Sequence, residues 1–183
     1  MSERPPRPGE AAITVEEAFD TAPLERNARV LTGLVALGVV AATVALALSF
    51  ESGYVAVVGA PTLVVALIML PMALSPNGYA VGASELAVTR RAARPLLFPL
   101  GSLAEARVTA MPRSRRLVAS GGLFGWWGTF VHRDWGKFKA YATDRRRGVL
   151  LEWPGFKLFV SPSDPEALRS AVLARRGGAK RRR

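Results

Sequence analysis

The chain of 183 residues contains no cysteine and a single histidine, His132. Without cysteine there is no disulfide framework, no thiol nucleophile and no thiolate ligand for a metal. His132 lies beside Asp134, but no serine or second base has an assignable place near this pair. The other carboxylates are scattered among basic residues, without the spacing of a metal site. We therefore expect no catalytic residue, no cofactor and no metal, and an enzyme is the least expected class of protein.

Charge is missing from two long stretches of the chain. Residues 30–50 and residues 54–74 contain no charged side chain, and Glu51 lies in the short segment between them. A helix of roughly 20 apolar residues crosses a bilayer core of about 30 Å. Helices with no polar face do not suit a small soluble domain. The sequence predicts transmembrane helix 1 over residues 30–50, an extracytoplasmic turn over residues 51–53 and transmembrane helix 2 over residues 54–74.

Basic residues near the ends of the two spans predict their orientation. The turn has no Lys or Arg, whereas the flanking segments contain Arg26, Arg29, Arg90, Arg91 and Arg94. Because basic residues favour the cytoplasmic side, both termini are expected in the cytoplasm and the protein in the inner or plasma membrane. Small residues at four-residue spacing, such as Gly38 and Ala42, favour close packing of the two helices. An oligomer of this chain is the other use that they would serve.

The segments outside the spans differ in composition. Residues 1–29 are rich in proline and charge, which predicts a disordered cytoplasmic tail, with a short helix over residues 15–30 as the alternative. The net charge of +11 is concentrated after residue 78, in a segment that contains 21 basic residues and seven acidic ones. Residues 177–183 are expected to form a basic tail. The remaining segment, residues 79–176, has room for one small domain.

Short strands bounded by glycine and proline follow the second span. Residues 79–91 read as a hairpin, and two prolines confine residues 96–100 to a sheet edge. A strand is expected within residues 103–110, and Phe138 and Ala140 alternate with Lys137 and Lys139 in another. Residues 154–155 suit a type II turn between two further strands. Asp164 is predicted to cap a final helix. The pattern indicates about seven antiparallel strands and one C-terminal helix.

Residues 120–172 carry a set of motifs that resembles the bacterial PH-domain family of small membrane-anchored proteins. The motifs are GLFGWWG at residues 122–128, GKF at 136–138, ATD at 142–144 and SPSDP at 161–165. The resemblance implies a pleckstrin-homology-like barrel, in which two bent antiparallel sheets are closed at one end by the helix. It implies no catalytic residues. Together with the spans it predicts a two-helix transmembrane hairpin followed by a mainly β domain.

The basic residues of this domain are the one functional signal. Lys or Arg near an anionic bilayer contributes about 1 kcal/mol each, and an indole suits the headgroup region. The candidate lipid- or partner-binding residues are Lys137, Lys139, Arg145, Arg146, Arg147 and Trp127. A solvated face that acts only as a topology signal is the alternative. Nucleic acid is a less expected partner, because the membrane tether brings lipid closer.

The composition and motifs lead to one functional expectation and one alternative. We expect a non-enzymatic membrane protein that presents a cytoplasmic PH-like domain for protein or anionic-lipid binding, as a scaffold or adaptor. The alternative is an accessory subunit of a membrane transporter or of an envelope-biogenesis complex, which would need a stoichiometric protein partner. The sequence does not identify that partner.

Overall fold

The computed structural model describes residues 15–49, 62, 65 and 69–176. Most of the elements are short strands, with one long helix between the first two strands and one helix at the C-terminal end. The elements in order are β1 (Val15–Asp20), α1 (Arg26–Ser49), β2 (Pro76–Gly82), β3 (Glu85–Arg90), β4 (Leu96–Pro99), β5 (Glu105–Thr109), β6 (Arg115–Gly121), β7 (Trp126–His132), β8 (Gly136–Ala142), β9 (Gly148–Trp153), β10 (Phe156–Val160) and α2 (Pro165–Arg175). Residues 69–74 are also helical.

The described strands form two sheets. The first has the order β1-β2-β3-β4, and the second has the order β5-β9-β10-β8-β7-β6. Neighbouring strands pair antiparallel except β10 and β8, which run parallel with Phe159 opposite Ala140. The parallel pair arises because the β9–β10 hairpin folds back so that β10 lies between β9 and β8.

The main core lies between the two sheets and under α2. It contains Val81 and Leu86 from the first sheet, Leu151 and Leu158 from the second, and Leu168 from α2. The helix begins as the sequence predicts, because Asp164 accepts hydrogen bonds from the backbone N–H groups of residues 166 and 167. The domain is therefore mainly β with a C-terminal helix, as a PH-like fold requires.

The opposite face of the second sheet is also apolar. Phe130, Phe138 and Phe159 are buried there together with Trp126, and Ala28 from α1 belongs to the same cluster. This face is present because β8 alternates strictly, with Phe138 and Ala140 buried and Lys137 and Lys139 exposed. The strand predicted from that alternation is confirmed.

Buried polar groups connect the two sheets. The hydroxyl of Tyr79 donates to the carbonyl oxygen of Tyr141 over 2.7 Å and accepts from the backbone N–H of Ser161 over 3.1 Å. Burial raises the pKa of Tyr79 to about 12, although the hydrogen bonds with Ser161 favour the ionised form. Burial also raises the pKa of Tyr141, and the nearby charge of Arg90 partly opposes this. Tyr79 thus fixes β2 against β8 and β10 as a neutral hydroxyl.

Two expectations about the β domain need correction. The predicted tail over residues 1–29 is not all disordered, because β1 pairs antiparallel with β2 and places Phe19 against the main core. The prediction of about seven antiparallel strands is too low, since ten strands are present in the described residues alone. The extra strands come from β1 and from residues 115–132, where a glycine-rich loop separates β6 and β7. The domain, which the sequence predicts to start at residue 79, therefore also contains β1 and residues 76–78 of β2.

The structure describes only part of the apolar segment. Among the described helices, residues 26–45 of α1 form the one stretch that is long and apolar enough to cross a membrane. The predicted second span, residues 54–74, and the turn, residues 51–53, lie outside the described residues, except for helical positions 62, 65 and 69–74. A two-helix hairpin is thus not established by the fold. On α1 a single stripe is less exposed than its surroundings, formed by Ala28, Thr32, Val35, Val39 and Thr43.

Candidate binding surface and the base of the apolar helix

The segment between β1 and α1 is pinned to the second sheet. The N–H of Ala22 donates to the carbonyl of Ser161 over 2.8 Å, and the N–H of Ser163 donates to the carbonyl of Asp20 over 2.9 Å. Thr143 adds two bonds, since its hydroxyl donates to the carbonyl of Ala22 and its carbonyl accepts from the N–H of Glu25. The chain therefore reaches the first turn of α1 in a fixed position on the domain.

Glu25 lies at the centre of this junction. Its side chain is only 5% exposed, and its two carboxylate oxygens lie 3.4 Å from Nε of Arg145 and 3.8 Å from Nε of Arg146. The guanidinium of Arg145 also lies over the ring of Trp126, 4.5 Å from its centroid. A buried carboxylate is costly unless it is paired, so the two arginines stabilise Glu25 in place.

The three adjacent arginines after β8 thus have different environments. Arg145 and Arg146 face Glu25, whereas Arg147 is exposed and no acidic side chain among the described residues pairs with it. The sequence predicts all three as candidate ligand-binding residues. Arg145 is paired with Glu25 and only 32% exposed, whereas the Arg146 pair is longer, at 3.8 Å, and its side chain is 68% exposed. Only Arg147 is fully available to an external anion.

The two predicted lysines border a shallow cavity. Lys137 and Lys139 are exposed on β8, and the cavity has a volume of about 330 Å³. Thr129, Phe138, Gly155 and Phe156 complete its lining. The ammonium of Lys139 lies 5.8 Å from the centre of the Phe156 ring, within cation–π range. Neither lysine has an acidic partner in the described part of the chain, so both charges are available to an anionic ligand.

Trp127 does not present its polar edge to the surface. The side chain is half-buried on β7, opposite Ser120 and Tyr141. Its Nε1 is fully buried and finds no hydrogen-bond partner within the residues that the structure describes. The sequence predicts Trp127 as an amphipathic indole at headgroup level, and the enclosed nitrogen leaves only part of the ring to contact a ligand.

Sequence reasoning missed a contact between α1 and the β6–β7 hairpin. The hydroxyl of Thr32 accepts a hydrogen bond from the N–H of Phe124 over 3.2 Å and lies 3.5 Å from the carbonyl oxygen of Gly122. Leu31 packs so closely on Gly122 that a Cβ at this glycine would come within 2.9 Å of it. A hydroxyl within an apolar run was the signal that could have indicated this contact.

Apolar side chains also lie exposed on β6, an edge strand. Leu117 is 57% exposed and Val118 is 81% exposed. A register shift between Arg116 and Val118 explains why two consecutive apolar residues lose their cover. Arg115 and Arg116 begin the same strand and are also exposed.

The single histidine lies at the end of β7. Nδ1 of His132 accepts from the N–H of Asp134 in the β7–β8 turn, as expected for a surface turn. Among the described residues, no group of three or more His, Cys, Asp or Glu side chains is placed to hold a metal ion. The groups of the described surface that can bind a ligand are its cations and its exposed apolar side chains.

The fold and this surface define the class of the protein. Two sheets with a C-terminal helix form a PH-like domain, and such a domain supports a binding or scaffold role. Residues 99–176 match the family model described as bacterial PH domain, which assigns this part of the chain to a bacterial PH-domain family. No match was found among curated proteins or among solved structures. The matched region covers β5 to α2, whereas most of the first sheet precedes it.

Proposed function

We propose that this protein is a non-enzymatic membrane-anchored adaptor that presents its PH-like domain at the cytoplasmic face for protein or anionic-lipid binding. The observation that carries the proposal is the pairing of β1 with β2. These strands flank the apolar segment, yet Asp20 lies opposite Gly78 in one sheet. The apolar segment therefore leaves the domain and returns to it at the same end of two paired strands.

This pairing favours a two-span anchor. Strands in one sheet share one aqueous compartment, so a chain that crosses the membrane through α1 must cross back before β2. The second apolar run provides a return span of sufficient length, and residues 69–74 at its end are helical. The return is tied to the domain, because the N–H of Ala92 donates to the carbonyl of Ala73 over 3.1 Å.

The charges beside the spans favour a cytoplasmic domain. Arg26 and Arg29 are exposed at the start of α1. After the returning chain, the N–H of Arg91 donates to the carbonyl of Ser75 over 3.2 Å, and Arg94 is exposed. The segment between the spans has no basic residue. Basic flanks are retained on the cytoplasmic side during insertion. The PH-like domain would then face anionic lipids and cytoplasmic proteins.

The single-cysteine method tests this topology cleanly, because the natural chain has no cysteine. Ser52→Cys places a thiol between the spans, and Arg147→Cys places one on the domain. In intact cells a membrane-impermeant maleimide should label Ser52→Cys, and it should label Arg147→Cys only after permeabilisation. Labelling of Arg147→Cys in intact cells, or release of the protein by alkaline carbonate, would contradict the proposal.

Photo-crosslinking tests the binding role at the lysine cavity. A photoreactive amino acid in place of Thr129 should give an adduct with a protein or a lipid, and Lys137→Gln with Lys139→Gln should abolish that adduct. The same probe at Arg133, in the exposed turn between β7 and β8, is the control. If the adduct forms with one integral membrane protein that is present in an amount equal to that of this chain, the accessory-subunit alternative is favoured. Equal crosslinking at both positions would reject a binding role for this face.

A further inference from the structure

We propose that the tip of the β6–β7 hairpin, residues 122–125, is a membrane-contacting wedge whose Leu123 and Phe124 lie against bilayer lipid beside α1. The inference rests on the proposed anchoring by α1 and names a second contact between the domain and the membrane. The occupant of this surface is the lipid bilayer itself. The wedge is distinct from the lysine cavity, which lies at the opposite end of β8.

The first argument is the position of the contact on α1. The tip binds α1 at Leu31 and Thr32, through the hydrogen bond from Phe124 to Thr32 and the close approach of Gly122 to Leu31. Both residues belong to the charge-free run that begins at residue 30. The tip thus touches the helix beyond its last charged residue, Arg29.

The depth of this contact follows from the length of α1. The helix ends at Ser49, so at 1.5 Å per residue Thr32 lies about 26 Å from that end along the axis. A hydrocarbon core is about 30 Å thick. If the far boundary lies near Ser49, the near boundary lies a few ångströms before Thr32, close to Arg29. A loop held at Thr32 is therefore at the boundary between headgroups and acyl chains.

The second argument is the chemistry of the tip. Leu123 and Phe124 are only partly buried, and a glycine lies on each side of the pair. Phe124 adopts a left-handed backbone conformation with φ of 55°, which non-glycine residues rarely occupy. Its N–H is held there by Thr32. A large aromatic side chain is thus kept at a position where glycine would be less strained, which favours a role for the ring itself.

The surroundings of the tip match a membrane surface. The guanidinium of Arg116 folds over Gly121 at the base of the tip, and Arg26 and Arg29 are exposed nearby on α1. Cationic groups next to apolar ones are typical of the headgroup boundary, where the charge remains in the polar layer. The same positive charges disfavour a second copy of this face as the occupant, because the arginines would meet each other.

Site-directed spin labelling of the full chain tests the wedge. Leu123→Cys and Phe124→Cys would carry a nitroxide in vesicles of phosphatidylethanolamine and phosphatidylglycerol. Leu37→Cys, exposed in the middle of α1, is the control for hydrocarbon, and Arg133→Cys is the control for water. Collision of each label with oxygen, which is enriched in lipid, is compared with collision with a water-soluble nickel chelate.

The oxygen-to-nickel collision ratio at Leu123 and Phe124 should be several-fold higher than at Arg133 and should approach that at Leu37. A ratio equal to that at Arg133, with Leu37 in hydrocarbon, would overturn the wedge and leave the anchor intact. Low collision with both reagents would mean that protein covers the tip, which also overturns the wedge. If Leu37 itself behaves as water-exposed, the anchoring proposal fails instead. Two labelled positions guard against disruption of the loop by one of the substitutions.

Discussion

The junction at the base of α1 can be tested through Glu25. Glu25→Gln keeps the shape of the side chain but removes the negative charge that faces Arg145 and Arg146. We expect this substitution to destabilise the domain, because Arg145 would be left partly buried against Trp126 without its carboxylate partner. The neighbouring Arg147, which has no carboxylate partner among the described residues, provides a matched control.

The expected magnitude follows from exposure and distance. Unit charges about 4 Å apart attract by about 4 kcal/mol at an effective dielectric constant of 20, before desolvation and ordering are subtracted. The Arg146 pair is long, at 3.8 Å, and its guanidinium is 68% exposed, so it contributes about 0.5 kcal/mol or less. The Arg145 pair is shorter and only 32% exposed. We therefore expect Glu25→Gln to cost about 1–3 kcal/mol.

A double-mutant cycle isolates the pair. The free energies of unfolding of Glu25→Gln, Arg145→Gln and the double variant are measured from the urea dependence of tryptophan fluorescence in detergent micelles. The losses should not add, and the coupling energy should be about 1–2 kcal/mol. Arg147→Gln should change the free energy of unfolding by less than about 0.5 kcal/mol.

Two results would refute this reasoning. A coupling energy below about 0.3 kcal/mol would mean that Glu25 and Arg145 do not stabilise each other. Equal effects of Arg145→Gln and Arg147→Gln would mean that the loop after β8 is an ordinary solvated turn. After either outcome, all three arginines would again be candidates for binding anionic lipid.

Three further substitutions test the packing of the second sheet. Phe138→Ala should lower the free energy of unfolding by about 3–5 kcal/mol, because the ring is 1% exposed and packs against Phe130 and Trp135; an unchanged urea midpoint would show that the strand faces the other way. Gly128→Ala should be markedly more destabilising than Gly136→Ala. Both glycines have positive φ, but a Cβ at Gly128 would also lie 2.7 Å from Cα of Ala119, whereas a Cβ at Gly136 would meet no atom within 4 Å. Similar midpoints for the two glycine variants would argue against close approach of β6 and β7.

Several features were predictable because neighbouring residues determine them. The apolar run of α1 follows from the absence of charge, and β8 follows from the alternation of Phe138 and Ala140 with two lysines. The start of α2 follows from a cap that bonds only two and three residues ahead. Periodicity, capping and turn chemistry are local properties, so the sequence alone reveals them. The motifs of residues 120–172 identified the family for the same region, since they too are contiguous.

The strand β1 could not be recognised in this way. Its residues from Glu16 to Ala18 are exposed, and Phe19 is the one side chain described in this strand that packs against the core, so its composition resembles that of a tail. It becomes a strand because β2, on the far side of the apolar segment, offers its edge for pairing. Charge alone, which marks the candidate lysines and arginines, likewise does not distinguish the paired Arg145 from Lys137, which has no acidic partner among the described residues.

The apolar helix, the alternating strand and the capped C-terminal helix can therefore be predicted from the sequence, because each depends on residues within one or two turns. The charges that are available to a ligand follow instead from contacts between distant parts of the chain. Glu25 and Arg145 are 120 residues apart, and Thr32 and Phe124 are 92 residues apart. Such contacts depend on how β1, α1 and the two sheets are arranged in space, and that arrangement follows from packing across the whole domain rather than from any local pattern.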